Sequence, residues 1–277
     1  MAQLVKENYM HIKAGELTFN VYVEGEGEPL ILLHGFPDDL TLWSETIPIM
    51  VSNGYKVIAF DQRGFGESDA PKGKHHYILR KIVDDIPHLL AQLNINTPVS
   101  VMGHDLGSVV GWAFCMFYPK LVKSFVAISV GHIQSYGKAG LYQKLVKGFY
   151  VLWFQLPGVS EYYLLHGGFS RWMSGHAKKD EAIAKMSRPG RLTAAINFYR
   201  ANLMDVVFKQ WPRCKVPTLG IWSTGDKYLT EKQMIKSKLY MDAQWSYQRI
   251  EGVGHWIPYD APDKMCEYAL DWFQQKR

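Results

Sequence analysis

The chain has 277 residues, of which 47% are hydrophobic and 21% charged, the make-up of a globular protein with ample core. Its net charge of +5 is spread along the chain without any Lys/Arg-rich run, which argues against nucleic-acid binding. Cys115, Cys214 and Cys266 lie far apart with no C-x-x-C spacing, so free thiols in a reducing compartment are expected and a metal site is not.

The opening residues hold no apolar stretch of signal-peptide length. The longest apolar or glycine run, 109–117, falls well short of the roughly 20 residues that span a bilayer. A cytoplasmic protein without a membrane span is the expectation. Strands are expected over 9–13, 17–23 and 30–33, with Gly15 and Gly25-Glu26-Gly27 punctuating the turns. His34-Gly35-Phe36-Pro37 follows the third strand, a helix is expected over 43–51, and a strand over 55–60. The glycine-rich loop 61–68 contains Asp61 and Arg63, expected to brace it by hydrogen bonds. Ile78, Ile82, Ile86, Leu89, Leu90 and Leu93 make a helical stripe in which Pro87 predicts a kink.

Next comes a short apolar run, Val99-Ser-Val-Met, leading into Gly103-His104-Asp105-Leu106-Gly107 and a helix-forming segment. This is a strand, a sharp turn and a helix, with glycine two positions either side of the central residue where a Cβ would collide. Asp105 is thereby lifted to the top of a strand, amid the backbone N–H groups of the following helix. A strand over 124–130 follows. From 131 to about 212 the alternation stops, and aromatic residues with helical apolar spacing take over. Strands then resume over 218–223 and 244–250, each followed by a helix (231–239 and 263–275). Strands alternating with helices imply a mostly parallel sheet covered on both faces, an α/β fold whose ligands bind beyond the carboxyl ends of the strands. The expected division is a core from 1–130 and 213–277, with 131–212 inserted as a helical cap.

Two further strand ends carry chemistry, Ser223-Thr-Gly-Asp226 and Gly252-Val-Gly-His255-Trp256. Singly, Asp226 suits a turn and His255 a loop. Together with Asp105 they fall in the order nucleophile, acid, histidine, each at the end of a predicted strand on one side of the sheet. A carboxylate with a reference pKa near 3.9 is already ionised at neutral pH, needs no base, and can displace at saturated carbon to leave an alkyl ester. Histidine then activates water against that ester, Asp226 orients His255, and backbone N–H groups of Phe36 and Leu106 face the tetrahedral oxyanion. His104 is read as a structural neighbour.

On these motifs the chain resembles the α/β-hydrolase-fold epoxide hydrolases over nearly its whole length. The resemblance implies that His34-Gly35-Phe36-Pro37 supplies an oxyanion donor. It implies that two cap tyrosines donate to the epoxide oxygen: Tyr199, in Asn197-Phe198-Tyr199-Arg200, and Tyr150, ahead of Phe154-Gln-Leu-Pro-Gly-Val159. Pro37 and Trp256 are the expected substrate contacts. The implied activity opens a small lipophilic epoxide to a diol with water, as a monomer or homodimer, with no cofactor or metal. Leu106 departs from the tryptophan that many relatives carry after the nucleophile, which alters the pocket wall but not the backbone donor. Haloalkane or haloacid dehalogenation shares the aspartate nucleophile, yet Phe36 and Leu106 bring no side-chain halide donor, and the arginines of fluoroacetate dehalogenases are replaced by Leu106 and Val109. A non-catalytic ligand-binding protein has no need of this set of residues.

Overall fold

The computed structural model describes residues 4–276. Eight strands, β1 (Tyr9–Ala14), β2 (Leu17–Glu24), β3 (Glu28–Leu33), β4 (Tyr55–Phe60), β5 (Val99–His104), β6 (Val122–Ile128), β7 (Thr218–Ser223) and β8 (Trp245–Ile250), form one sheet in the order β1-β2-β4-β3-β5-β6-β7-β8. β2 runs antiparallel to β1 and β4, while β3 to β8 are parallel. Leu30 and Leu32 of β3 enter one apolar cluster with Met102 of β5. Ile31 and Leu33 enter the other with Val99 and Val101. Both faces are therefore buried, and the central strands read as unbroken apolar runs instead of alternating ones.

Helices α1 (Thr46–Ser52) and, at the end of the chain, Pro262–Gln274 cover one face with Ile47, Met50, Met265 and Phe273. Helices α2 (Leu79–Gln92) and α3 (Leu106–Phe117) cover the other with Ile82, Ile86, Val110 and Phe114. The segment expected to be one helix over 43–51 is instead a 3-10 turn, Leu40–Trp43, followed by α1. Asp39 caps the turn by accepting from Thr41 N–H at 3.0 Å. Pro48, which has no N–H, stands in the first turn of α1, where that N–H would have no intrahelical partner. α2 runs through Pro87 as one element, its buried stripe in register on both sides.

Between β6 and β7 the described residues form helices and no strand: α4 (Ile133–Gly137), a π-helical turn Tyr142–Lys147, α5 (Phe149–Trp153), α6 (Val159–Tyr163), α7 (Phe169–Trp172), α8 (Lys179–Met186) and α9 (Arg191–Phe208). Phe154, Phe169 and Met173 on the underside of this segment join the apolar cluster of α2 and α3. Polar ties hold one side to the sheet's loops. His176 Nε2 lies 2.9 Å from Asp38 Oδ1, Lys185 Nζ lies 2.6 Å from Asp39 Oδ2, Arg188 pairs with Glu67, and Arg191 donates to the Ser68 carbonyl. Beneath them the 61–68 loop is braced as expected. Asp61 accepts at 2.8 Å from each of Asn20 Nδ2, Leu40 N–H and Glu67 N–H. Arg63 makes a two-pronged pair with Asp85, at 2.7 and 2.5 Å.

Candidate active site

Asp105 joins β5 to α3 at φ 51° and ψ −117°, a left-handed conformation that costs a non-glycine residue about 1–3 kcal/mol and persists only where its surroundings enforce it. The two flanking glycines do so by close approach. A methyl on Gly103 would strike the Gly107 carbonyl, and one on Gly107 the Leu33 carbonyl. Gly35 allows the other wall in, since a methyl there would lie 2.5 Å from Asp105 Cβ. The strand end therefore presents the carboxylate to the 34–37 loop. That loop is itself fixed: His34 Nδ1–H donates to the Gly35 carbonyl at 3.0 Å, and His34 Nε2 accepts from Gln62 N–H at 3.0 Å. Phe36 N–H then donates to Asp105 Oδ2 at 3.2 Å, and the Leu106 amide, the first of α3, adds its dipole in favour of the carboxylate's charge.

Because the strands are parallel, the ends of β7 and β8 bring Asp226 and His255 to the same edge. His255 Nδ1 lies 2.8 Å from Asp226 Oδ2, and His255 Nε2 lies 3.6 Å from Asp105 Oδ1. Asp226 Oδ1 is held by Tyr228 N–H and Leu229 N–H at 2.8 and 2.9 Å. Burial works against a charge on His255, but the carboxylates of Asp226 and Asp105 outweigh it and push its pKa up to about 10. Burial likewise opposes the Asp105 anion, yet the positive charge of His255, 3.6 Å away, outweighs it and holds its pKa below the usual value. His104 differs. Burial drives its pKa down to about 4, and its Nε2–H donates to the His255 carbonyl at 2.9 Å, so it supports the turn as a neutral ring.

Above Asp105 and Leu106 opens a cavity of about 360 Å³ whose walls are almost wholly aliphatic and aromatic. Tyr150, from α5, and Tyr199, from α9, both line it, their ring centroids 6.0 Å apart. Neither hydroxyl has a protein hydrogen-bond partner among the described residues. Burial, with the Asp105 charge adding to it, pushes both phenols well above their ordinary pKa, so they remain donors. Arg200 anchors the Tyr199 turn by bonding Glu161 Oε1 at 2.7 Å and the Phe154 carbonyl at 2.8 Å.

Two expected substrate contacts are elsewhere. Pro37 borders a separate crevice with Asp38, Lys178 and Tyr259, and Trp256 is buried against His176, with ring centroids 4.6 Å apart. Trp256 caps the short helix Ile257–Asp260 and meets the His255 ring edge-on at 5.2 Å, outside the cavity lining. A tyrosine without a motif is present instead. Tyr136, in α4, lines the cavity, and burial and the Asp105 charge raise its pKa to about 12. Tyr228 likewise belongs to no motif; its ring meets His255 edge-on at 5.0 Å while its hydroxyl donates to the Trp172 carbonyl at 2.7 Å.

Comparison with known proteins agrees with this architecture. The sequence model of a family described as alpha/beta hydrolase fold matches residues 28–262. The chain is 29% identical over 275 residues to human "Epoxide hydrolase 4", covering 92% of this chain and 75% of that protein. It is 27% identical to the Bacillus subtilis "AB hydrolase superfamily protein YfhM", covering 96% and 97%. The crystal structure of Bacillus megaterium epoxide hydrolase in complex with an inhibitor superposes with a TM-score of 0.85 at 21% identity, over 96% of this chain and all of that one.

Proposed function

The chain belongs to the α/β-hydrolase-fold family, and within it we propose an epoxide hydrolase that works through an ester on Asp105. The observation that carries this is the placement of one ionised carboxylate. Its Oδ2 is taken by Phe36 N–H, its Oδ1 faces His255, and unpartnered phenols line the apolar space above. Asp105 attacks an epoxide carbon; the C–O bond breaks, and Tyr150 and Tyr199 hydrogen-bond the departing oxygen, one of them giving it a proton. The remaining carbonyl oxygen of the ester rests on the Phe36 and Leu106 N–H groups. Alkylation removes one of the two negative charges that hold the proton on His255, so its pKa falls. The proton it releases restores the phenol, and the neutral imidazole, oriented by Asp226, deprotonates water for attack on the ester carbon. Collapse expels the diol and returns Asp105 with one oxygen from water.

Residues 131–212 act as the cap and the remainder as the catalytic core. The apolar walls favour a lipophilic epoxide. Among the described residues no helix is long and apolar enough to cross a membrane, and the three buried free thiols suit a cytoplasmic setting.

His255→Gln should open the epoxide and then stall, leaving an adduct of substrate mass on the peptide containing Asp105. Wild-type enzyme in excess, turned over once in heavy-oxygen water, should carry the label on Asp105. Label in the diol with Asp105 unlabelled would mean direct attack by water and would overturn the mechanism.

One observation favours dehalogenation as the second reading. The Trp172 indole N–H, buried and unpartnered, belongs to a ring that packs on Phe36 and on the cavity-lining Tyr150, and a turn of that ring toward the cavity would give a leaving halide a donor. Halide release from a chloroalkane or haloacid panel separates the two chemistries.

A further inference from the structure

Five side chains that line the cavity also stand in solvent. Leu141, Leu145, Leu152, Met204 and Phe208 are each 50–73% exposed and therefore form its mouth. Beside them on the π-helical turn, Tyr142 and Val146 are more than half exposed and lie outside the cavity lining. An exposed apolar rim continuous with an apolar cavity marks a contact surface.

Charge indicates what covers it. The two segments that carry the rim, 136–150 and 204–209, hold four lysines and one acid, Asp205, a net +3, whereas Lys185, Arg188 and Arg200 of the same insertion are taken up by Asp39, Glu67 and Glu161. No acidic residue occurs between 106 and 160. Lys138 and Lys209, both exposed, lie close in sequence to Leu141 and Phe208, and Lys209 reaches Asp205 only at 3.5 Å in an exposed pair. We propose that this rim seats on the surface of an anionic lipid bilayer. The exposed apolar side chains then enter the boundary between headgroups and acyl chains, and the lysines meet the anionic headgroups. A second copy or another protein seated here would close the mouth. A bilayer instead holds lipophilic molecules directly in front of it. Delivery of substrate from the lipid rests on the epoxide-hydrolase reading, whereas the lipid contact itself does not.

The test is flotation of the full chain with vesicles of phosphatidylcholine alone or with added phosphatidylserine. Wild type should float with the anionic vesicles, less with the neutral ones, and less again when NaCl is raised from about 0.15 M to 1 M. Tyr142→Glu/Val146→Glu should lower the partition coefficient about tenfold or more. Its melting temperature and its turnover of a short, water-soluble epoxide should stay those of the wild type, while turnover of a long-chain epoxide embedded in vesicles falls. If that variant does not fold, Lys138→Glu/Lys209→Glu should selectively lose the anionic vesicles. Wild type that stays unbound overturns the proposal, as do variants that all float as well as wild type. So does a wild-type dimer that Tyr142→Glu/Val146→Glu splits, since a second copy would then be the cover. Wild type that floats but opens no epoxide upholds the lipid contact and refutes the assigned chemistry.

Discussion

Consider Tyr199→Phe in a His255→Gln background, where every turnover stops at the ester and alkylation is observed alone. The substitution deletes one hydroxyl and keeps the ring that meets Phe36 at 5.8 Å and Phe154 at 5.1 Å, so packing is preserved. The hydroxyl has no protein partner to lose, and the walls around it are nearly all apolar, so the deficit falls on the developing alkoxide. A hydrogen bond to a charged group contributes about 1.5–3 kcal/mol, which corresponds to a slowing of about ten- to a hundredfold. Tyr150→Phe should cost a similar factor, and the double variant more than either single. Rapid quenching followed by intact-protein mass spectrometry gives the rate at which the adduct appears. A double variant that alkylates at the parent rate would refute the assignment. If Tyr136→Phe alone slows alkylation further than both, the donor is the tyrosine on α4.

Two further outcomes concern the frame of the site. His255 titrates at about 10 in the fold against an ordinary 6.5, so its contribution to stability is complete below pH 6.5 and is lost as pH rises toward 10. The melting temperature should fall across that window, and Asp105→Asn, which removes one of the two stabilising carboxylates, should flatten the slope; equal slopes would contradict the shared proton. Arg63→Met should leave Asp85 as an uncompensated buried charge. Breaking such a pair costs about 3–5 kcal/mol, a loss of roughly 6–20 °C in melting temperature by calorimetry, and an unchanged value would mean that the pair does not stabilise the 61–68 loop.

What the sequence disclosed follows from how local each determinant is. The bounds of β4 and β7, Tyr55–Phe60 and Thr218–Ser223, match the expected strands residue for residue because β-branched and apolar runs between turn residues leave no alternative. The turn around Asp105 was legible for the same reason, since Gly103 and Gly107 are needed by the backbone itself. Asp226 and His255 were found through their places at strand ends, which a parallel sheet brings to one edge. The cap was legible only as helical. Its short helices and π-turns are set by packing, and nothing local distinguishes Tyr136 from the other tyrosines of the chain. Trp256 packs against His176, which lies 80 residues earlier in the inserted segment, and neither motif nor periodicity encodes so distant a contact.

Strands β6 and β7 are hydrogen-bonded neighbours, with Phe125 opposite Thr218, although 89 residues separate Ile128 from Thr218. Closing a loop costs free energy only with the logarithm of its length, so an insertion of this size exceeds a ten-residue link by only about 2 kcal/mol. Chain length at this one junction is consequently a nearly neutral variable for the sheet. Asp105, Asp226, His255 and the Phe36 and Leu106 amides all lie outside the insertion, whereas Tyr136, Tyr150 and Tyr199 and most of the cavity wall lie within it. Under the proposed mechanism, nucleophile and base are thus written in one part of the structure and the substrate contacts in another. Recombination at that single seam could exchange the second without disturbing the register of the first.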